Sequence, residues 1–296
     1  MIMESKIAVI TPSGFVAADQ IKLALEKACA LGLKVVYQTP ATKAESFLHG
    51  SKEQRLNELL HAESVDADAI WCTRGGIGAI ELWHEYQPSF YKSAAPLIGY
   101  SDASIYHFMR FYRANRIGIH GPVFLDFIKG SRFLEAIELL IHKQAQKLVY
   151  PTLKSLNHFL KSPIKGELLP MNLISLQSIV GCFDHKFFQG KILALEDINE
   201  PPYKVFRALS HLKNAGLLTG LKALILGHFN QERPEVLNIT VKLANELGIP
   251  LFDWPIFGHD EPNWPLLFGA KASINKIDDP FFTLSYDEQH DHEPIP

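Results

Sequence analysis

Cysteine is scarce in this chain: three among 296 residues, Cys29, Cys72 and Cys182, far apart in sequence. That spacing excludes a disulfide framework and the paired-cysteine patterns of zinc sites, and it reads as buried free thiols. Long apolar runs are also lacking. Nothing approaches the ~20 residues of a membrane span, and the run Ile7–Ile10 that precedes Pro12 is too short for the core of a secretory signal. The expectation is a cytoplasmic protein with no membrane partner. Positive charge is not in excess: 29 Lys and Arg against 32 Asp and Glu leave a net charge of -3. With no basic stripe to neutralise a phosphate backbone, nucleic acid is not an expected partner. Neither G-x-G-x-x-G nor G-x-x-x-x-G-K-[ST] occurs, which removes the usual glycine frames for a dinucleotide or a nucleoside triphosphate. His290-Asp291-His292-Glu293 has the composition of a ligand set, but it lies in a polar terminus beside Pro294 and Pro296. No metal and no cofactor is assigned.

What is present is ordinary globular composition, 47% hydrophobic and 21% charged, in a chain long enough for two medium domains. Strand-like runs alternate with helical periodicity. Ile7–Ile10, Lys34–Tyr37, Ala69–Cys72, Pro96–Ile98 and the stretch at Ile117–Ile119 are separated by helical patterns over 17–30 and 53–61, a short helix through Trp83, and a helix after Asp102. The last places Ile105, Phe108, Met109 and Tyr112 on one face. This order predicts an α/β fold: a doubly wound, parallel-sheet N-terminal domain over residues 1–130, with ligands at the carboxyl ends of its strands. A helix over 133–142 and a polar segment with Pro151 and Pro163 suggest a linker at 131–165. A smaller C-terminal α/β domain is expected over 166–296, with strands at 191–195, 223–226, 251–257, 270–274 and 281–284 and helices at 203–215 and 235–247. The active site is expected between the two domains.

Several residues have the chemistry of a site. Ser101 sits on a strand-to-helix turn, which lifts a hydroxyl to the edge of a sheet and aims the first free helical N–H groups at whatever it attacks. Read alone, Ser101 or Asp102 at such a turn is more commonly just a helix cap. Glu196 ends an apolar strand, with Asp197 and Glu200 in the same loop; alone it is equally a surface acid. His259 follows Gly258 at another strand exit, where a lone histidine is commonly structural. Arg74-Gly75-Gly76-Ile77-Gly78 is a glycine-rich turn after a parallel strand whose N–H groups can approach an oxyanion or a carboxylate; its plainer reading is a tight turn with Arg74 in a surface ion pair.

Taken together, Arg74-Gly75-Gly76-Ile77-Gly78, Ile98-Gly99-Tyr100-Ser101-Asp102 with His107, His120-Gly121-Pro122, Leu195-Glu196-Asp197-Ile198-Asn199-Glu200-Pro201-Pro202-Tyr203 with Arg207, Leu226-Gly227-His228-Phe229 and Phe257-Gly258-His259 resemble, in order and over nearly the whole chain, the LD-carboxypeptidase family. That family of serine peptidases includes muramoyltetrapeptide carboxypeptidases and microcin C immunity-type proteins. The resemblance implies a Ser101, Glu196 and His259 triad and an oxyanion hole from the backbone N–H groups of Gly76 and Asp102; Arg74, Gly75 and Asn172 are candidate substrate contacts, Arg74 as the guanidinium beside the glycine-rich turn that can hold a terminal carboxylate. The resemblance also implies a homodimer and, as substrate, a cytoplasmic murein tetrapeptide that loses its terminal D-Ala during cell-wall recycling. Pro170-Met171-Asn172-Leu173 stands where the family usually has Gly-Gly-Asn-Leu, and Cys182-Phe183 where it often has Thr-Pro, departures that bear on the cleft wall. Two other readings are an immunity-type amidase acting on peptidyl or aminoacyl nucleotides, and a non-catalytic peptide-binding protein.

Overall fold

The computed structural model describes residues 5–40, 42–87, 94–130, 133–158 and 163–287. The chain forms two compact units, the first running to Gln144 and the second starting at Ala145. The segment read as a linker contributes an ordered helix and a strand to them. His290-Asp291-His292-Glu293 lies outside the described residues.

The first unit contains β1 (Lys6–Ile10), α1 (Ala18–Ala30), β2 (Lys34–Gln38), the short strands β3 (Ala44–Glu45) and β4 (Leu48–His49), α2 (Lys52–Ala62), β5 (Ala69–Cys72), β6 (Leu97–Gly99), α3 (Ala103–Ala114), β7 (Gly118–His120) and α4 (Leu134–Ile141). Its parallel strands run in the order β7-β6-β5-β1-β2, so the chain reverses its direction of travel across the sheet at β1 and β5. Loops at that reversal, outside the carboxyl ends of the strands, are where open α/β sheets present functional groups. The strands β5, β6 and β7 are buried along their whole length, as a parallel sheet covered on both faces requires. The short helix read through Trp83 is a single 3₁₀ turn, Ala79–Leu82.

The second unit holds β8 (Leu153–Ser155), β9 (Ile164–Asn172), α5 (Leu173–Ser178), β10 (Ile192–Asp197), α6 (Pro202–Asn214), β11 (Ala223–Phe229), α7 (Arg233–Leu247), β12 (Leu251–Asp253), β13 (Leu266–Phe268), β14 (Lys271–Asp278) and β15 (Phe281–Tyr286). Expected to be the smaller, it is about as long as the first. Its sheet closes into a barrel in the order β10-β11-β12-β8-β15-β14-β9. The β9, β10, β11 and β12 neighbours are parallel and the rest antiparallel. Closure leaves no sheet edge to protect, and β10 is buried from end to end. The run read as one strand over 251–257 is a strand only to Asp253; beyond it the chain turns, with the Ile256 N–H bonded to Trp254 O.

Candidate active site

In the first unit the loops after β1, β5 and β6 meet around Ser101. The serine has φ +64°, a left-handed conformation that costs a non-glycine residue on the order of 1–3 kcal/mol and that concentrates at functional turns. Asp102 makes no side-chain bond to the N-terminus of α3, so the capping reading of this turn does not hold for its carboxylate. Gly75 packs directly against the serine: a methyl on it would stand 2.7 Å from Ser101 Cβ and 2.9 Å from Oγ. Gly76 has φ +110° and abuts Gly14, where a side chain would lie 3.0 Å from the Gly14 Cα. Among the described residues, neither the Gly76 nor the Asp102 N–H donates to a protein acceptor. Both are available to an oxyanion.

Beneath this turn lies a polar network that the sequence did not reveal. Asp102 is 4% exposed, and its Oδ2 accepts from Ser13 Oγ at 2.6 Å and from the Ala79 N–H at 2.9 Å. Burial pushes this carboxyl upward, against the pull of those two bonds and of the Arg55 charge. Arg55, itself fully buried, donates to Gly78 O at 3.0 Å and pairs with Glu81. His107 is a core residue: its Nε2 donates to Gly99 O at 2.9 Å, and desolvation lowers its pKa to about 4, which keeps it neutral. Arg74 is exposed and donates to Phe15 O at 3.1 Å. One hint was available: Pro12-Ser13-Gly14 is a turn at a strand exit.

The second unit supplies an acid and a base. Glu196, at the end of β10, is fully buried, and its Oε2 accepts from His259 Nδ1 at 2.7 Å. Since a carboxylate only accepts, Nδ1 carries the proton and Nε2 is left as the basic nitrogen. Burial pulls the His259 pKa down; the Glu196 charge and hydrogen bond, with Asp197 and Asp260, outweigh it, and the net shift is upward. The loop is built to allow this contact. Gly258 has φ +116°, and a methyl there would stand 2.8 Å from Glu196 Oε2. Its N–H donates to Asn263 Oδ1 at 3.1 Å. The Phe257 ring lies over Gly227, where a Cβ would approach it to 2.6 Å, and the His228 N–H donates to Phe257 O at 2.9 Å.

The other acids of that loop have different work. Asp197 receives the N–H groups of Ile174 and Ile198 and the Asn172 amide at 3.0, 2.8 and 3.0 Å. Burial, then the Glu196 charge, raise its pKa to about 6. Glu200 pairs with Lys204 one helical turn on, at 3.4 Å. Asn172 is 5% exposed and caps α5 by accepting from the Ser175 N–H at 3.0 Å, so its amide is engaged in holding Asp197 and the helix.

Comparison with known proteins agrees across both units. Residues 7–121 match the LD-carboxypeptidase N-terminal domain and residues 165–274 the LD-carboxypeptidase C-terminal domain. A putative carboxypeptidase of Rickettsia conorii is 32% identical over 283 residues, which cover 91% of this chain and 88% of the relative. The murein tetrapeptide carboxypeptidase of Pseudomonas aeruginosa is 29% identical over 299 residues, 92% of this chain and 94% of that protein. The crystal structure of muramoyltetrapeptide carboxypeptidase from Oxalobacter formigenes aligns with a TM-score of 0.80 at 24% identity, over 95% of this chain and 98% of that one, and shows the shared fold.

Proposed function

The chain belongs to the LD-carboxypeptidase family, and on that premise we propose that it is a serine carboxypeptidase releasing the terminal D-Ala of murein tetrapeptide, with Ser101, His259 and Glu196 as its triad. The Ser101 hydroxyl attacks the carbonyl of the L,D-peptide bond as His259 Nε2 takes its proton. Glu196 holds the imidazole tautomer and stabilises the imidazolium. The Gly76 and Asp102 N–H groups receive the oxyanion. His259 then gives its proton to the leaving D-Ala amine, and water, activated by the same imidazole, frees the acyl-enzyme. The observation that carries this reading is the 2.7 Å bond between His259 and a fully buried Glu196, a pair of the kind that prepares a base rather than a solvated surface contact.

In the same reading Arg74 and Gly75 hold the substrate's terminal carboxylate by charge and close backbone approach, and Asn172 acts by shaping the wall beneath Asp197. Of the cysteines read as buried, Cys72 is buried, Cys29 is exposed and Cys182 is half-buried; a chain so poor in cysteine fits a reducing, cytoplasmic setting, and no helix among the described residues is long and apolar enough to cross a membrane. A two-fold homodimer, the commonest closed assembly, completes the proposal. The test is to incubate the purified protein with murein tetrapeptide and, separately, with an aminoacyl nucleotide, following each by mass. Loss of D-Ala from the tetrapeptide supports the reading. Cleavage of the nucleotide conjugate alone assigns an immunity-type amidase, and binding without turnover assigns a binding protein.

A further inference from the structure

We propose that the Asp102 side chain is a positioning residue that clamps the Gly75–Ala79 turn to the helix carrying the nucleophile; this rests on the catalytic reading above. Two loops at the carboxyl edge of the sheet converge on one of its oxygens. Ser13, after β1, donates its hydroxyl to Oδ2 at 2.6 Å, and Ala79, at the end of the turn after β5, donates its N–H to the same atom at 2.9 Å. Asp102 itself opens α3, directly after Ser101. An aspartate at a helix start ordinarily bonds to its own first turn; this one is turned away from its helix and buried among foreign loops. Burying a carboxylate is unfavourable unless its hydrogen bonds are made, and the two donors supply them.

The clamp reaches the oxyanion donor through the turn. Gly75 O accepts from the Gly14 N–H at 3.2 Å and Gly78 O from Arg55 at 3.0 Å, so with Ala79 bound to Asp102 the Gly76 N–H lies between anchors on both sides. The Ser13 loop is fixed in its turn: Pro12 O accepts the Tyr106 hydroxyl of α3 at 2.6 Å, and Ser13 O accepts the His49 N–H at 3.0 Å. Helix α3 therefore grips the loop after β1 twice, by Tyr106 and by Asp102, and the turn after β5 once, by Asp102. The aim of the Gly76 N–H relative to Ser101 depends on that tie together with the bonds at Gly75 O and Gly78 O. An oxyanion donor is matched to an atom position reached only in the transition state, so slack in the tie lowers kcat more than it raises KM.

The experiment compares Asp102→Ala, Asp102→Asn and Ser13→Ala with the wild type in D-Ala release and in amide exchange of the 75–79 segment, measured by peptide mass. Alanine at 102 keeps the backbone donor and loses the acceptor, whereas the asparagine oxygen can still accept both bonds. Asp102→Ala and Ser13→Ala are expected to lower kcat by about tenfold or more with KM little changed and to speed exchange at 75–79, while Asp102→Asn, which keeps an acceptor, is expected to lose less rate than Asp102→Ala and to retain slower exchange at 75–79. Wild-type kcat and exchange in Asp102→Ala, or Asn as damaging as Ala, would overturn the clamp. Should Asp102→Ala not fold, Ser13→Ala, which deletes one hydroxyl, decides by the same two readouts. A wild type that releases no D-Ala refutes the proposed activity alone, because the exchange measurement still tests the clamp.

Discussion

Replacing Gly258 by alanine perturbs the proposed triad without substituting any of its members. The added methyl would stand 2.8 Å from Glu196 Oε2, 2.9 Å from its Cβ and 3.0 Å from its Cγ, whereas carbon contacts settle near ~3.5 Å or beyond. Glu196 must therefore retreat by ~0.6 Å. Its bond to His259 then stretches from 2.7 Å toward ~3.3 Å, outside the ~2.7–2.9 Å of a charge-assisted hydrogen bond. Alanine at φ +116° adds backbone strain of ~1–3 kcal/mol. The expected result is a folded protein with a lowered melting temperature, and kcat/KM for the tetrapeptide reduced by about 10²-fold. Calorimetry and D-Ala release measure the two effects, and the imidazole proton resonance of His259 reports the stretched bond. An alanine variant with wild-type melting, kcat/KM and imidazole resonance would refute this account of why glycine stands there.

Other substitutions separate neighbouring groups. Glu196→Gln should cost far more rate than Asp197→Asn or Glu200→Gln, because of these three acids it is Glu196 that accepts from His259 at 2.7 Å; an order with Glu200 first would move the triad acid. His259 must be neutral to take a proton and its pKa is raised, so activity rises with pH through a limb above the ~6.5 of free imidazole. Removing the Glu196 charge should shift that limb to lower pH, as a kcat/KM profile will record, while an unmoved limb would mean that another group titrates. Arg74→Ala should weaken hydrolysis of the free-acid tetrapeptide much more than that of its C-terminal amide, which has no charge to lose. Equal losses would leave Arg74 as the latch it makes to Phe15 O.

Much of the first unit was legible because each of its parallel strands is a short apolar run closed by a turn residue: Ala69–Cys72 is the observed β5, and Gly32 and Asn115 follow the helices they end. The barrel of the second unit was not. β8 is only three residues long beside Pro151, too short to show alternation. β9 contains Pro170, a residue that ordinarily argues against a strand. It is tolerated because β14 pairs with β9 only over Ile164–Glu167, which leaves Pro170 beyond that ladder. Strand closure depends on pairings between distant segments, and no local pattern announces them. At the site, the residues that would react were visible as polar groups at strand exits. Their supports were not: Ser13 and Arg55 meet Asp102 and Gly78 only across the sheet edge, and the need for glycine at 258 appears only when Glu196 is seen against it.

The most direct measurement is tetrapeptide turnover by Ser101→Ala, followed by mass alongside the wild type with the fold of both confirmed by calorimetry. The Ser101 side chain packs at a half-exposed turn and not in an apolar core, so the variant should fold normally. Loss of the nucleophile should lower kcat by about 10³-fold or more. D-Ala release at the wild-type rate from a folded Ser101→Ala protein would contradict a serine mechanism.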